Sequence, residues 1–257
     1  MKNAKRIVVK VGTSTLAYAN GRLNLRRIEE LTRVLSDIKN SGREILLVTS
    51  AAIGVGAGQL GLKERPRDIG GKQAAAAVGQ CELMFTYDKH FAEYGHQTAQ
   101  VLLTRDVVED ARRKQNVINT FARLLEYGVL PIINENDTVA TEELEFGDND
   151  SLSAIVATLA EADALIMLTD IDGLYDANPR TNPNARLIPV VDHIDDALFA
   201  AAQGAGSTLG TGGMVTKLHA AQIATAAGIP TVIMNGEKPE RLYDLLDGQP
   251  LGTLFRV

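Results

Sequence analysis

Short apolar runs alternate with longer amphipathic segments along the chain. The runs are rich in valine, isoleucine and leucine and contain few polar positions, a composition typical of strands that are buried on both faces of a parallel sheet. We therefore predict strands at RIVVKVG (6–12), EILLVTS (44–50), QVLLT (100–104), VLPIIN (129–134), ALIMLTD (164–170) and TVIMN (231–235).

Between these runs, apolar residues recur three or four positions apart, which predicts helices. The first such segment extends from Leu25 to Ile38, with Asn24 as its N-cap and the sequence NSG at its end. Another contains Phe121 and stops at Gly128. Strands that alternate with helices predict one α/β domain with a mainly parallel sheet covered on both faces. Ligands bind such sheets beyond the carboxyl ends of the strands.

The composition narrows the possible classes of protein. The chain has 257 residues, 45% of them hydrophobic, and its net charge of −6 disfavours binding to nucleic acid or to an anionic membrane. It contains no apolar run of membrane-spanning length and its N-terminal sequence does not resemble a signal peptide, so we expect a cytoplasmic protein. A single cysteine, Cys81, excludes an internal disulfide and is expected to be packed, and four scattered histidines predict no zinc site.

Polar groups lie in or directly after several of the predicted strands. Lys10 is inside the first strand, Ser50 ends the second, Asn134 the fourth and Asp170 the fifth. A buried lysine is costly unless an anion meets it, so Lys10 indicates an anion site; the alternative is a solvated strand end. Gly12 and the small residues after Ser50 expose backbone N–H groups that bind anions, although glycines at such places also form simple tight turns.

Four consecutive polar residues precede a predicted helix in FGDNDSLSAIVATLA (146–160). Asp148, Asn149, Asp150 and Ser151 all suit an N-cap, and a helix needs only one. The surplus indicates binding, because Asp150 can hold neighbouring lysines in place and Asn149 can donate to a ligand oxygen. The alternative is a solvated acidic turn.

The sequence GTGGMVTK (210–217) resembles a phosphate loop without the Walker A spacing, in which the lysine follows the last glycine directly. A glycine-rich stretch, 203–213, leads into a segment that predicts a helix from Met214 to Gly228. Lys217 then lies about one turn into this helix, and its ammonium group can reach back toward the helix N-terminus. This predicts an anion site with a lysine, built differently from Walker A.

Taken together, these motifs resemble the amino acid kinase family, and they follow the order of that family across essentially the whole chain. The resemblance implies a three-layer αβα sandwich with an open, mainly parallel sheet of about eight strands. It also implies one domain, 1–257, in which about 1–160 binds the amino acid and about 161–257 the nucleotide. The motifs are VVKVGTS (8–14), VTSAAI (48–53), AAVGQ (76–80), LLTRDVVED (102–110), INENDTVA (133–140), FGDNDSLSA (146–154), MLTDIDGLYDANPR (167–180) and GTGGMVTK (210–217).

The activity implied by the resemblance is transfer of the γ-phosphoryl group of ATP to the side-chain carboxylate of L-glutamate, the entry to proline synthesis. An ionised carboxylate needs no general base, so the main tasks are positioning and charge neutralisation. The resemblance implies Mg²⁺ bound mainly through the ATP phosphates, with no dedicated metal ligands in the protein. It assigns catalysis to Lys10, Lys217 and Asp150; ATP contact to Lys10, Thr169, Asp170, Thr211, Gly212, Gly213, Met214, Val215, Thr216 and Lys217; and glutamate contact to Ser50, Asp137 and Asn149, with Asn134 and Asp148 nearby.

Several further expectations accompany the resemblance. Ala51 stands where many members of the family have glycine, and its methyl group would hinder the site if this position requires positive φ. The chain matches a form without the C-terminal PUA domain, an RNA-modification-type β domain. Feedback inhibition by proline is expected of the family. We also expect a homo-oligomer, in which the alanine-rich segment from Lys72 to Tyr94, with Gly79 inside it, packs on a partner; the alternative for this segment is an internal core helix.

Two other functions remain open from the residues. A kinase of the same fold that acts on acetylglutamate or aspartate would need a pocket for a blocked or a shorter substrate, whereas Asp137 suits an unblocked α-ammonium group. A non-catalytic regulator that responds to nucleotide would need affinity for it, but not both Lys10 and Lys217 at the point of transfer.

Overall fold

The structure is a computed structural model and describes residues 1–140, 148–202 and 213–257. Within these ranges, strands and helices alternate as the sequence predicts. In chain order they are β1 (Arg6–Val11), α1 (Thr13–Leu16), α2 (Leu25–Asn40), β2 (Glu44–Val48), α3 (Ala52–Gln59), α4 (Ile69–Glu93), β3 (Thr98–Leu103), α5 (Asp106–Glu109), α6 (Ala111–Glu126), β4 (Leu130–Glu135), α7 (Asn149–Leu159), β5 (Ala164–Thr169), β6 (Val190–Val191), α8 (Asp196–Ala202), α9 (Met214–Ala226), β7 (Thr231–Asn235), α10 (Arg241–Leu246) and β8 (Thr253–Phe255).

The described strands form one sheet of eight, in the order β3-β4-β2-β1-β5-β7-β8-β6. Every neighbouring pair is parallel except β7 and β8, which are antiparallel. All six strands predicted from apolar runs are present, and the short strands β6 and β8 complete the sheet. The expected open, mainly parallel sheet of about eight strands is confirmed.

Helices cover both faces of the sheet. Successive side chains of a strand point to opposite faces, so each strand packs against helices on both sides. In β1, Ile7 and Val9 belong to one hydrophobic cluster with α2, α3, α4 and α10, whereas Val8 belongs to a second cluster with α6, α7 and α9. The predicted three-layer αβα sandwich is therefore confirmed. In the part of the chain that the structure describes, no helix is both long and apolar enough to cross a membrane.

The predicted ends of helices α2 and α6 are also confirmed. Asn24 caps α2, since its side chain accepts a hydrogen bond of 3.3 Å from the backbone N–H of Arg27. Helix α6 ends just before Gly128, which has φ of 71°, a conformation that glycine adopts without strain.

Helices α3 and α4 pack through glycines. A Cβ atom at Gly79 of α4 would lie 1.9 Å from the carbonyl oxygen of Ala52, and one at Gly56 of α3 would lie 1.7 Å from that of Ala75. The close contact expected for Gly79 is therefore made within the chain and not with a partner. Cys81 is exposed, so its predicted packing is wrong; it lies on the face of α4 turned away from this contact.

Candidate active site

A cavity of about 640 Å³ lies beyond the carboxyl ends of the central strands, where the parallel-sheet rule places a ligand. It is lined by residues that directly follow β1, β2, β4 and β5 and by the first turns of α7 and α9. Most of the residues predicted from the sequence are brought together here. Those that line the cavity are Lys10, Ser50, Asn134, Asp137, Asp148, Asn149, Asp150, Thr169, Asp170, Gly213, Met214 and Lys217.

At the base of the cavity one buried carboxylate contacts two lysines. Lys10 Nζ lies 2.6 Å from Asp150 Oδ1, and Lys217 Nζ lies 3.1 Å from Asp150 Oδ2. Lys10 forms an ion pair with the carboxylate, and Lys217 also donates a hydrogen bond to it. The Thr216 hydroxyl also donates to Asp150 Oδ2, at 2.7 Å. The exposed fractions are 1% for Asp150, 6% for Lys10 and 7% for Lys217.

Three separate elements supply this cluster. Lys10 is near the carboxyl end of β1, Asp150 is in the first turn of α7, and Lys217 is the fourth residue of α9. The predicted position of Lys217, one turn into its helix, is confirmed. Asp150 and Lys217 lie in the first turns of their helices, where backbone N–H groups and the helix dipole favour anions.

The electrostatics of the cluster favour a bound anion. Burial lowers the pKa of the Lys10 ammonium from its ordinary value, and the Asp150 carboxylate opposes that shift. Burial alone would raise the pKa of Asp150, but Lys10 and Lys217 outweigh it and hold that pKa well below its ordinary range. With both lysines and the carboxylate ionised, the cluster carries a net charge of +1 in a nearly dry environment. Such a charge is costly unless an anion joins it.

Asn149 is held by hydrogen bonds that point into the protein. Its Nδ2 lies 2.7 Å from the Thr49 carbonyl oxygen, 3.0 Å from Ser50 Oγ and 2.9 Å from Asn134 Oδ1. An amide nitrogen has two hydrogens, so these acceptors use its donor capacity. In this structure the amide hydrogens of Asn149 are used within the protein, and the expectation that Asn149 donates to a ligand oxygen stays a prediction. Asn149 lines the cavity together with Ser50 and Asn134.

A buried glutamine, not identified from the sequence as part of the site, supports this arrangement. Asn134 Nδ2 donates to Gln80 Oε1 at 2.8 Å, and Asn134 Oδ1 accepts from the backbone N–H of Glu135 at 2.9 Å. Because a backbone N–H is always a donor, the Asn134 atom that meets it must be the oxygen Oδ1. Asn134 Nδ2 is then the donor to Gln80, so the Gln80 atom that it meets must be the oxygen Oε1. Gln80 is the last residue of the AAVGQ motif, but nothing in its spacing places it beneath the site, because helix α4 is far from β4 in the sequence.

The turn between β2 and α3 has the backbone conformation suspected from the sequence. Ala51 is the N-cap of α3 and has φ of 83° and ψ of 1°, in the left-handed region. It lines the cavity beside Ser50. Asp148, which also lines the cavity, caps α7 by accepting from the backbone N–H of Ser151 at 2.7 Å, and burial raises the pKa of Asp148.

The wall formed after β5 includes an ion pair that the sequence did not reveal. Asp170 Oδ2 lies 2.8 Å from Arg180 Nη2, and both side chains line the cavity. Asp170 also accepts from the Thr169 hydroxyl at 3.3 Å. Arg180 lies in a loop of 171–189 that folds back over the end of β5, and loop conformation is not predictable from apolar periodicity.

Of the residues expected to contact nucleotide, two do not line the cavity and two lie outside the described residues. Val215 packs against the hydrophobic cluster of α7 and α9, and Thr216 reaches the site through its bond to Asp150. Thr211 and Gly212 lie outside the described residues. Among the residues that the structure describes, no group of three or more histidine, cysteine, aspartate or glutamate side chains is arranged to hold a metal ion.

Comparisons with known proteins show the family and the fold of the chain. The sequence profile described as "Amino acid kinase family" matches residues 5–235. The chain is 58% identical to glutamate 5-kinase of Clostridium perfringens, over 99% of this chain and 96% of that protein. It is 54% identical to glutamate 5-kinase of Clostridium acetobutylicum, with the same coverage of 99% and 96%. Among solved structures, isopentenyl phosphate kinase of T. acidophilum has a TM-score of 0.67 at 18% identity, covering 97% of this chain and 99% of that one, a likeness of fold.

Proposed function

Because the chain belongs to the amino acid kinase family, we propose that it transfers the γ-phosphoryl group of ATP to the side-chain carboxylate of L-glutamate, giving L-glutamyl 5-phosphate. The name shared by relatives more than half identical over nearly their whole length supports this substrate. The proposal includes the first step of proline biosynthesis. We also propose that the protein is cytoplasmic, because ATP is a cytoplasmic metabolite.

The observation that carries the proposal is the buried cluster of Lys10, Asp150 and Lys217, with its net positive charge at the base of the cavity. A transferring phosphoryl group, held between ADP and a carboxylate, is the kind of anion that such a cluster stabilises. A protein that only sensed nucleotide would gain no comparable benefit from two buried lysines on one carboxylate.

In the proposed mechanism, a γ-carboxylate oxygen of glutamate attacks the γ-phosphorus in line, and the bond from that phosphorus to the bridging oxygen of ADP breaks. Lys10 and Lys217 contact the phosphoryl group from two sides and neutralise the charge that accumulates on it. Asp150 holds both ammonium groups in position. The step requires no general base, because the acceptor is already ionised at neutral pH.

The residues at the site fit a magnesium ion carried by the nucleotide. Asp150 is committed to two lysines, and Asp170 to Arg180, so neither is positioned as a dedicated metal ligand. Mg²⁺ commonly takes most of its ligands from phosphate oxygens and water. Bound with the nucleotide, it would neutralise charge on the phosphates, and Asp170, on the nucleotide wall, would face it.

The proposal divides the cavity between two ligands. Glutamate lies on the wall formed by about 1–160, near Ser50, Asn134, Asp137, Asp148 and Asn149. The acidic side chains suit the α-ammonium group of an unblocked amino acid. ATP lies on the wall formed by about 161–257, which includes Thr169, Asp170, Gly213, Met214 and Lys217.

Release of ADP from ATP, with L-glutamate, acetylglutamate and L-aspartate offered separately, tests the function. We expect release with glutamate and an acyl phosphate that hydroxylamine traps. Faster release of ADP with acetylglutamate or aspartate would refute glutamate as the substrate. If none of the three acceptors leads to release of ADP, a nucleotide-responsive regulator would be favoured.

Two further properties are proposed. We expect proline to inhibit the reaction, which the same assay measures directly. We also propose a homo-oligomer, supported by the outward face of α4, where Phe85 is 66% exposed and Val78 37% exposed. Light scattering of the purified protein, compared with a Phe85→Ser variant, tests this: a monomer in both would refute it.

A further inference from the structure

An α-amino acid carries two opposite charges on one carbon, so a pocket that binds its head group needs an anionic and a cationic partner close together. The amino-acid wall of the cavity supplies the anionic partners, Asp137 and Asp148. Lys10 and Lys217 are paired with Asp150 and are assigned to the transferring phosphoryl group. The cation that meets the α-carboxylate must therefore come from elsewhere.

Three cationic side chains line the amino-acid end of the cavity: Arg65, Arg67 and Lys72. Arg65 is exposed, and the Arg67 side chain is 92% exposed and lies 3.7 Å from Glu64. Lys72 is partly buried, and in the described part of the chain no carboxylate lies within ion-pair distance of it. A partly buried ammonium without a carboxylate is the better partner for a ligand anion, because less solvent screens it.

The position of Lys72 is fixed by the N-terminus of α4. Asp68 caps this helix by accepting from the backbone N–H of Gly71 at 2.7 Å. The next residue, Gln73, donates through Nε2 to the carbonyl oxygen of Ala140 at 3.2 Å. Ala140 and Asp137 both lie in the segment 136–140, which follows β4. The first turn of α4 is thus tied to the segment that offers a carboxylate to the substrate.

We propose that Lys72 binds the α-carboxylate of the amino acid substrate and, with Asp137, selects an α-amino acid head group. This rests on the proposed function, since it concerns the same acceptor. Lys72 would then be a specificity-determining residue that contacts substrate away from the reacting carboxylate, so its removal should weaken binding of the amino acid more than it slows phosphoryl transfer.

The test compares two acceptors. L-Isoglutamine has the γ-carboxylate of glutamate but a neutral α-carboxamide, so it cannot use the charge of Lys72. For Lys72→Gln we expect the KM for glutamate to rise about 10- to 100-fold, the range for loss of a charge-assisted hydrogen bond, with little change in kcat or in the KM for ATP. The kcat/KM for isoglutamine, taken from the initial slope, should stay within about twofold of the wild type. Lys72→Arg should restore part of the affinity for glutamate.

Lys63→Gln is the matched control, because Lys63 is exposed and outside the cavity lining but only nine residues away. It should leave both acceptors unaffected. An unchanged KM for glutamate in Lys72→Gln, or equal losses for glutamate and isoglutamine with a normal melting temperature, would overturn the role of Lys72 while leaving the proposed function intact. A wild-type protein that does not phosphorylate glutamate would overturn both.

Discussion

The left-handed conformation of Ala51 makes a quantitative prediction for Ala51→Gly. At φ of 83° the alanine Cβ crowds the following carbonyl group, at a cost of about 1–2 kcal/mol. Glycine removes that cost but has more freedom to lose on folding, about 0.5–1 kcal/mol. Glycine is also better than alanine at an N-cap. We therefore expect the variant to be more stable by about 0.5–1 kcal/mol.

For a domain of this size, such a gain corresponds to a rise in Tm of about 1–4 °C, measurable by differential scanning calorimetry. The methyl group of Ala51 also lines the cavity beside Ser50, so its removal should leave kcat/KM for glutamate equal or higher. A coupled assay of ADP release measures this. A loss of kcat/KM greater than about tenfold, roughly 1.4 kcal/mol, would show that alanine is fitted to the site.

Glu161→Gly provides the matched control. Glu161 has φ of 51°, is exposed, and lies in the turn between α7 and β5, outside the cavity lining. Its replacement should raise Tm by a similar amount without affecting kcat/KM. If neither variant gains stability, the strain assigned to the left-handed backbone is absent and the reasoning fails for both.

The remaining predictions concern the buried polar groups. Lys217→Ala should lower kcat at saturating ATP by about 10²- to 10³-fold, and a near-normal rate of ADP release would refute the role given to this lysine. Asp150→Asn leaves two buried ammonium groups without a carboxylate and should lower the free energy of unfolding by about 3–5 kcal/mol. Urea denaturation near neutral pH measures this. A loss below about 1 kcal/mol would contradict a strong interaction between Asp150 and the two lysines. Since the pKa of Asp150 is depressed on folding, the stabilisation that its carboxylate provides is present above about pH 4 and is lost as the pH falls below that value. The difference in free energy of unfolding between the wild type and Asp150→Asn should therefore narrow in acid. A difference that widened in acid would contradict the depressed pKa. Gln80→Leu removes the oxygen that accepts from Asn134, so it should raise the KM for glutamate and lower the free energy of unfolding by about 1–3 kcal/mol. Gln80→Glu keeps an acceptor and should have smaller effects. Equal effects of the two variants would argue against the hydrogen bond.

Much of the fold was predictable, because six of the strands are long apolar runs whose composition directly reflects burial on both faces. The short strands β6 and β8, of two and three residues, contain too few positions for any periodicity to appear. They are defined by pairing: β8 joins β7 in antiparallel register, with Thr231 opposite Phe255. Such register depends on contacts between distant segments, which a local pattern does not contain.

For the candidate site, the sequence was informative where a residue type was out of place, as with Lys10 in an apolar strand. The site residues that were missed, Gln80 and Arg180, look ordinary in their local context. Gln80 matters only because α4 lies against β4, and Arg180 only because its loop returns to Asp170. The hydrogen bonds of Asn149 were not predictable for a related reason, since its three acceptors come from other segments of the chain.

The cluster of Lys10, Asp150 and Lys217 also bears on how the chain gains activity as it folds. Its members come from the first strand, a central helix and one of the last helices, so none of the local structures that form early contains more than one of them. The pairings that unite them close long loops and belong to the late, cooperative part of folding. A nascent or partly unfolded chain would thus lack this cluster, and with it the proposed phosphoryl-transfer centre, until the whole sheet is assembled.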